Sequence, residues 1–102
     1  MQNFTDLFKR IITLTEDRMK HILERPEMIS QMGKIDETLT SPELIKRSVS
    51  DKNVVIYYKH YQITPVTSKY LAVVIKINKE NLIISSYFTD SIKKGEIVWE
   101  KN

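Results

Sequence analysis

The chain contains no cysteine, which removes disulfides, thiolate metal sites and a cysteine nucleophile in one step. That fits a reducing compartment, and the location expected from it is cytoplasmic. Two glycines and three prolines are present. Because Gly33 and Gly95 stand alone, a glycine-rich phosphate loop has no material to form from, and nucleoside-triphosphate hydrolysis is set aside. No run of about 18 apolar residues occurs, and "MQNFTDLFKR" lacks a basic start followed by an apolar segment, so neither a membrane span nor a signal peptide is expected. The two histidines, His21 and His60, lie in separate segments without an HExxH pattern or a calcium loop. The expectation is no metal and no cofactor. Repeats and low-complexity tracts are also missing.

What remains is ordinary globular material. A length of 102 residues is one domain, and 41% hydrophobic with 28% charged residues is enough apolar content for a packed core. The net charge of +3 is unevenly placed. Residues 1–51 hold eight Lys and Arg against nine acids, whereas residues 52–102 hold eight Lys against four acids. The second half is therefore biased towards anionic partners, although a positive field alone names no ligand.

Punctuation divides the chain into a helical part over about 15–46 and a β-meander over about 53–100. "KRIITL" reads either as a short strand or as the approach to a helix, because its apolar residues cluster without a period. Thr15 is a good N-cap, with Glu16 and Asp17 in the first turn, so a helix is expected to about Arg25 with Met19, Ile22 and Leu23 inward. Pro26 should end that helix and begin a second one, whose Met28, Ile29, Met32, Ile35 and Leu39 recur at helical spacing. "TSPELIKRSVSD" reads as a turn and a short apolar step. Strands are expected in "NVVIYYKHY", "KYLAVVIKIN", "NLIISSYF" and the terminal "GEIVWEKN", with "NKEN" as a tight hairpin. Helices first and strands after give an α+β fold: N-terminal helices packed on one face of a four- or five-stranded antiparallel sheet.

Several residues carry chemistry. His21 lies opposite the apolar stripe of its helix, flanked by Glu24 and Arg25, where a histidine can exchange protons and an arginine can hold a phosphate. The same position also suits a solvated helix face. In the strands, period-two alternation groups Val55, Tyr57, Lys59 and Tyr61 against Val54, Ile56, Tyr58 and His60, and groups Ile83, Ser85 and Tyr87 against Leu82, Ile84, Ser86 and Phe88. Tyr, Lys and Ser on an open sheet face can bind an RNA backbone and stack bases, and Tyr is also simply a good strand former.

The ordered succession "HILER", "ETLTSPELI", "SVSD", "VVIYYK", "YLAVVIKI", "IISSYF" and "IKKGEIVW", over residues 11–99, resembles the phage-associated nuclease-like domains of the Barnase, EndoU, Colicin and RelE fold superfamily. The resemblance implies a metal-independent endoribonuclease, often a toxin, in which a 2′-hydroxyl attacks its neighbouring phosphate. It implies His21, Arg25, Tyr58 and Ser86 as catalytic residues. His21 would be the acid or base, Arg25 and Lys59 would steady negative charge, and Ser86 would position the phosphate. Lys59, Lys76 and Tyr87 are the expected phosphate or RNA contacts. Expected partners are RNA, an antitoxin or immunity protein, and a second copy of the chain. The alternative is a catalytically silent module that binds nucleic acid or protein.

Overall fold

Runs of β-branched and aromatic residues become strands, and two short amphipathic stretches become helices. In the computed structural model, which describes residues 1–102, the order is β1 (Gln2–Thr5), β2 (Ile11–Leu14), α1 (Glu16–Leu23), a 3₁₀ turn (Pro26–Met28), α2 (Met32–Thr40), β3 (Leu44–Ser48), β4 (Val54–Tyr61), β5 (Lys69–Ile77), β6 (Asn81–Thr89) and β7 (Gly95–Glu100). All strands join one seven-stranded sheet in the order β1-β2-β6-β5-β4-β3-β7. Neighbours are antiparallel except β2 and β6, which run parallel and meet at Thr13 and Leu82.

The expected four- or five-stranded antiparallel sheet under a larger helical part is corrected by this topology: the sheet has seven strands and is mixed. Two segments escape a reading by pattern. Gln2–Thr5 buries a single side chain, Phe4, and is a strand because all four of its residues pair with β2. Leu44–Ser48 is rich in Lys, Arg and Ser, and is a strand because β4 and β7 pair with its two edges. The helical part consequently ends at Thr40 rather than near residue 46.

Local chemistry sets the helix ends. The Thr15 hydroxyl accepts from the Arg18 amide at 3.3 Å and starts α1. Pro26 excludes the helical conformation at Arg25, which sits at φ −87° and ψ 114°, so α1 stops at Leu23. The proline then opens a single 3₁₀ turn rather than a long second helix, and Ser30, at φ 67°, separates that turn from α2. Ile29 consequently leaves the expected apolar stripe and is 57% exposed, while Met28, Ile35 and Leu39 are buried.

Both helices and the turn lie on one face of the sheet. There Ile22, Met28, Ile35 and Leu39 pack on Tyr57, Leu71, Val73 and Ile75 in a 14-residue core. Each large aliphatic side chain buried this way contributes about 1.5–3 kcal/mol. The β1–β2 turn is fastened to this core by polar contacts. Buried Asp6 accepts from the Tyr57 hydroxyl at 2.5 Å and from Arg10 Nε at 3.1 Å, and Arg10 donates to the Tyr57 oxygen at 2.9 Å. No helix is long and apolar enough to cross a membrane.

Candidate nucleic-acid interface on the open sheet face

The other face of the sheet carries no helix. Its cluster of Ile56, Tyr58 and Ala72 is packed by Leu44, Tyr70, Val74, Tyr87 and Ile92, all from strands or the β6–β7 connection. Register aligns these residues into rows across four strands. One row is Leu44, Tyr58, Ala72 and Tyr87, and the next is Lys46, Ile56, Val74 and Ser85. Aromatic and apolar side chains form the floor, with a lysine at one end and hydroxyls at the other.

A strap crosses this floor. β6 and β7 are separated in the sheet by β5, β4 and β3, yet residues 90–94 alone connect them. Six Cα steps from Thr89 to Gly95 reach at most about 21 Å. Four strand spacings come to about 19 Å, so the connection has little slack. Ile92 plugs onto the Tyr58 cluster, and the Lys93 amide donates to the Tyr58 hydroxyl oxygen at 3.1 Å. Lys69 and Asp90, 2.7 Å apart, tie down the strap's start. At its far end Gly95 lies so close to β3 that a Cβ there would run into the Arg47 carbonyl oxygen. Any other residue would push the strap away.

The strap delivers cations to the aromatic floor. Lys93 Nζ lies 5.9 Å from the Tyr87 ring centroid, and Arg25 Cζ lies 5.4 Å from the same centroid. Arg25 reaches that ring because Pro26 has pulled its backbone out of α1, beside the β6 edge that α1 and the 3₁₀ turn flank. Beside Tyr87 opens a pocket of about 520 Å³ bounded by Lys46, the β3–β4 loop, Val54, Ile56, Val74, Ser85, Lys93 and Lys94. Arg25, Lys46, Lys93 and Lys94 take part in no ion pair, whereas the nearby Lys76 is neutralised by Asp51 at 2.5 Å and Arg47 by Glu96 at 3.0 Å. Arg25 and Lys93 therefore flank the Tyr87 ring as uncompensated cations, and Lys46 and Lys94 join Lys93 along the pocket. Such an arrangement suits a phosphate joined to a flat apolar group.

Two hydroxyls lie in this region. Burial raises the Tyr58 hydroxyl above the ordinary tyrosine range; the Lys93 amide pulls it partly back and Tyr87 adds to the rise. The Tyr87 hydroxyl oxygen is buried without a hydrogen-bond partner. On the pocket's rim, the bond from Lys76 holds the Asp51 carboxyl below its usual range, and the Asn53 amide acts in the same direction. No three His, Cys, Asp or Glu side chains gather in a cluster able to hold a metal ion.

The residues singled out from sequence separate into two groups. Arg25, Tyr58 and Tyr87 come together around the strap, and Lys76 stands at the pocket's edge, bonded to Asp51. His21, Ser86 and Lys59 do not join them. His21 lies on α1, half exposed, with its Nδ1 3.5 Å from Glu24. Ser86 is fully buried and donates to the Ala72 carbonyl oxygen at 2.8 Å. Lys59 points to the helical side, where its ammonium donates to the Ser41 carbonyl oxygen at 3.1 Å.

The face assignment in β6 also needs correction. Val74 pairs with Ser85 but Ile75 pairs with Ile83, so Ile84 is an extra residue in a bulge and Arg18 donates to its carbonyl oxygen at 3.4 Å. The bulge puts Ile83 in the core with Ser86, and leaves Ser85 with Tyr87 on the open face. Lys46, Lys93, Lys94 and Ser85 are the pocket residues that sequence reasoning passed over. The available signal was "SIKKG", a short lysine-bearing link ahead of a glycine. Compared with known proteins, the chain matches no family model, no curated protein and no solved structure.

Proposed function

We propose that the chain is an RNA-binding domain that holds a single strand on the open sheet face, with its phosphates at Arg25, Lys93, Lys94 and Lys46. The observation that carries this reading is Tyr87 with two cations free of ion pairs beside its ring, on a face that no helix covers. Phosphate contacts supply affinity and salt dependence, and Tyr87, the aromatic side chain that lines the pocket beside the strap, supplies a surface for a base. RNA implies a cytoplasmic setting; neither an antitoxin, an immunity protein nor a second copy is needed to complete the site. Fluorescence anisotropy of a labelled single-stranded RNA tests the proposal. Arg25→Ala should weaken binding about tenfold and lower the salt slope by about 0.7. Unchanged binding and slope would contradict it.

A second reading is favoured by Arg25 and Lys93, two cations free of ion pairs beside one aromatic ring. In metal-independent cleavage the 2′-hydroxyl attacks phosphorus, the bond to the 5′-oxygen breaks and a cyclic 2′,3′-phosphate remains. Arg25 would stabilise the developing charge, the Lys93 ammonium would donate a proton to the leaving 5′-oxygen, and the 2′-hydroxyl proton would pass to solvent. The resemblance to endoribonucleases points the same way. Incubation with tRNA and total RNA in EDTA should then give cyclic-phosphate ends, abolished in Lys93→Gln and kept in His21→Ala. Cleavage lost in His21→Ala but kept in Lys93→Gln would sink this assignment.

A further inference from the structure

We infer that the pocket beside the strap admits one nucleotide of the strand and reads its base. This rests on the RNA-binding reading and deepens it. A bare anion site would need only the lysines, and a general stacking platform would be an uninterrupted sheet face. Here neither description fits. Ile92 and the Lys93 amide rest directly on Tyr58, so the strap occupies the middle of the face and a strand of RNA cannot lie straight across it. What the strap leaves is a recess of about 520 Å³, within the range of pockets that enclose small molecules.

The recess is amphiphilic in an ordered way. Its floor is Ile56 and Val74, directly paired in register, which offers a flat apolar surface two strands wide. Lys93 and Lys94 line it from the strap, and Lys46 stands in the next strand beyond Ile56. Ser85 continues the row beyond Val74, so its hydroxyl lies at the edge of a planar group resting on that floor. A base would lie on Ile56 and Val74 with its phosphate towards Lys93 and Lys94. Ser85, able to donate or accept, would meet the base edge. Single-stranded RNA is recognised in this manner elsewhere, by bases splayed out of the strand into pockets and bonded along their edges.

The experiment measures anisotropy of labelled A10, C10 and U10, together with NMR titration of the four nucleoside monophosphates, on wild type, Val74→Trp and Ser85→Ala. Val74→Trp fills the recess, and Ser85→Ala keeps it open while removing the hydroxyl. Thermal melts establish that each variant is folded. Wild type is expected to prefer one homopolymer by about tenfold, the scale of a good edge contact. Val74→Trp should abolish that preference and leave the salt slope unchanged; Ser85→Ala should weaken the preference. Folded Val74→Trp that keeps the wild-type preference overturns the inference and leaves RNA binding intact. Monophosphates bound in a Val74→Trp-sensitive manner, with no affinity for any decamer, would uphold the recess and overturn the RNA reading. Absence of both kinds of binding overturns both.

Discussion

Tyr57 and Tyr58 are consecutive, equally buried and on opposite faces of β4, and they do different work. Tyr57 faces the helices, where its hydroxyl donates to Asp6 and accepts from Arg10. Its polar atoms are fully used in holding the β1–β2 turn. Tyr58 faces the open side, where it supports the Lys93 amide of a strap that carries two cations free of ion pairs. Ser86 and Tyr87 repeat the division in β6, one bonded to a backbone carbonyl inside, the other unpartnered beside the pocket. The helix-covered face uses up its polar side chains within the fold, and the open face leaves one of them, the Tyr87 hydroxyl, without a partner.

That comparison can be broken by perturbing each face. The largest effect expected is on the inner side. Asp6→Ala leaves the buried Tyr57 hydroxyl and Arg10 without their acceptor and should destabilise the fold by about 3 kcal/mol in urea titration. RNA affinity of the folded fraction should stay unchanged; a tenfold loss would mean that the faces are not independent. Gly95→Ala should cost about 2 kcal/mol by the same measurement, because the strap must move away from Arg47. Here RNA affinity should fall as well, since Lys93 and Lys94 move with it.

Alkaline pH discriminates the faces more gently. Burial and Asp6 raise the Tyr57 hydroxyl, burial and Glu37 raise Tyr61, and burial raises Tyr58 less strongly. An acid whose folded pKa lies above its unfolded value stabilises the fold fully below the unfolded pKa, about 10 for tyrosine, and loses that contribution as pH rises towards the folded value. Melting temperature should thus hold steady to about pH 9.5 and fall above pH 10. Tyr57→Phe should flatten the fall more than Tyr58→Phe. The smallest effects belong to β6. Ser86→Ala should cost about 1 kcal/mol, whereas Tyr87→Phe should be neutral or slightly stabilising, because its hydroxyl has no hydrogen bond to lose.

Much of this molecule was legible residue by residue. Thr15 as a cap, Pro26 as a stop and the strands of the second half follow from local preferences that packing did not override. Alternation in β4 also gave its two faces. β1 and β3 were illegible because their own residues do not call for strand; the neighbours that pair with them do. The site was half legible. Tyr58, Tyr87 and Arg25 come together around the strap and alternation paired Ser85 with Tyr87, but it also placed Ile83 with them, which the bulge at Ile84 moves to the core beside Ser86. His21 and Arg25 share a helical-wheel face on paper, and Pro26 ends the helix before that spacing applies. The strap's lysines acquire their role only from a connection between strands that are not neighbours, a long-range fact absent from any local pattern.

RNA held by the charges of the open face, and not by the basic character of the whole chain, would tell apart two charge-matched variants, Lys93→Gln/Lys94→Gln on the strap and Lys20→Gln/Lys59→Gln on the helical side, in anisotropy titrations across salt. Affinity should fall about thirtyfold and the salt slope by about 1.4 for the strap variant alone. Equal losses in both variants would mean that the open face holds no RNA of its own.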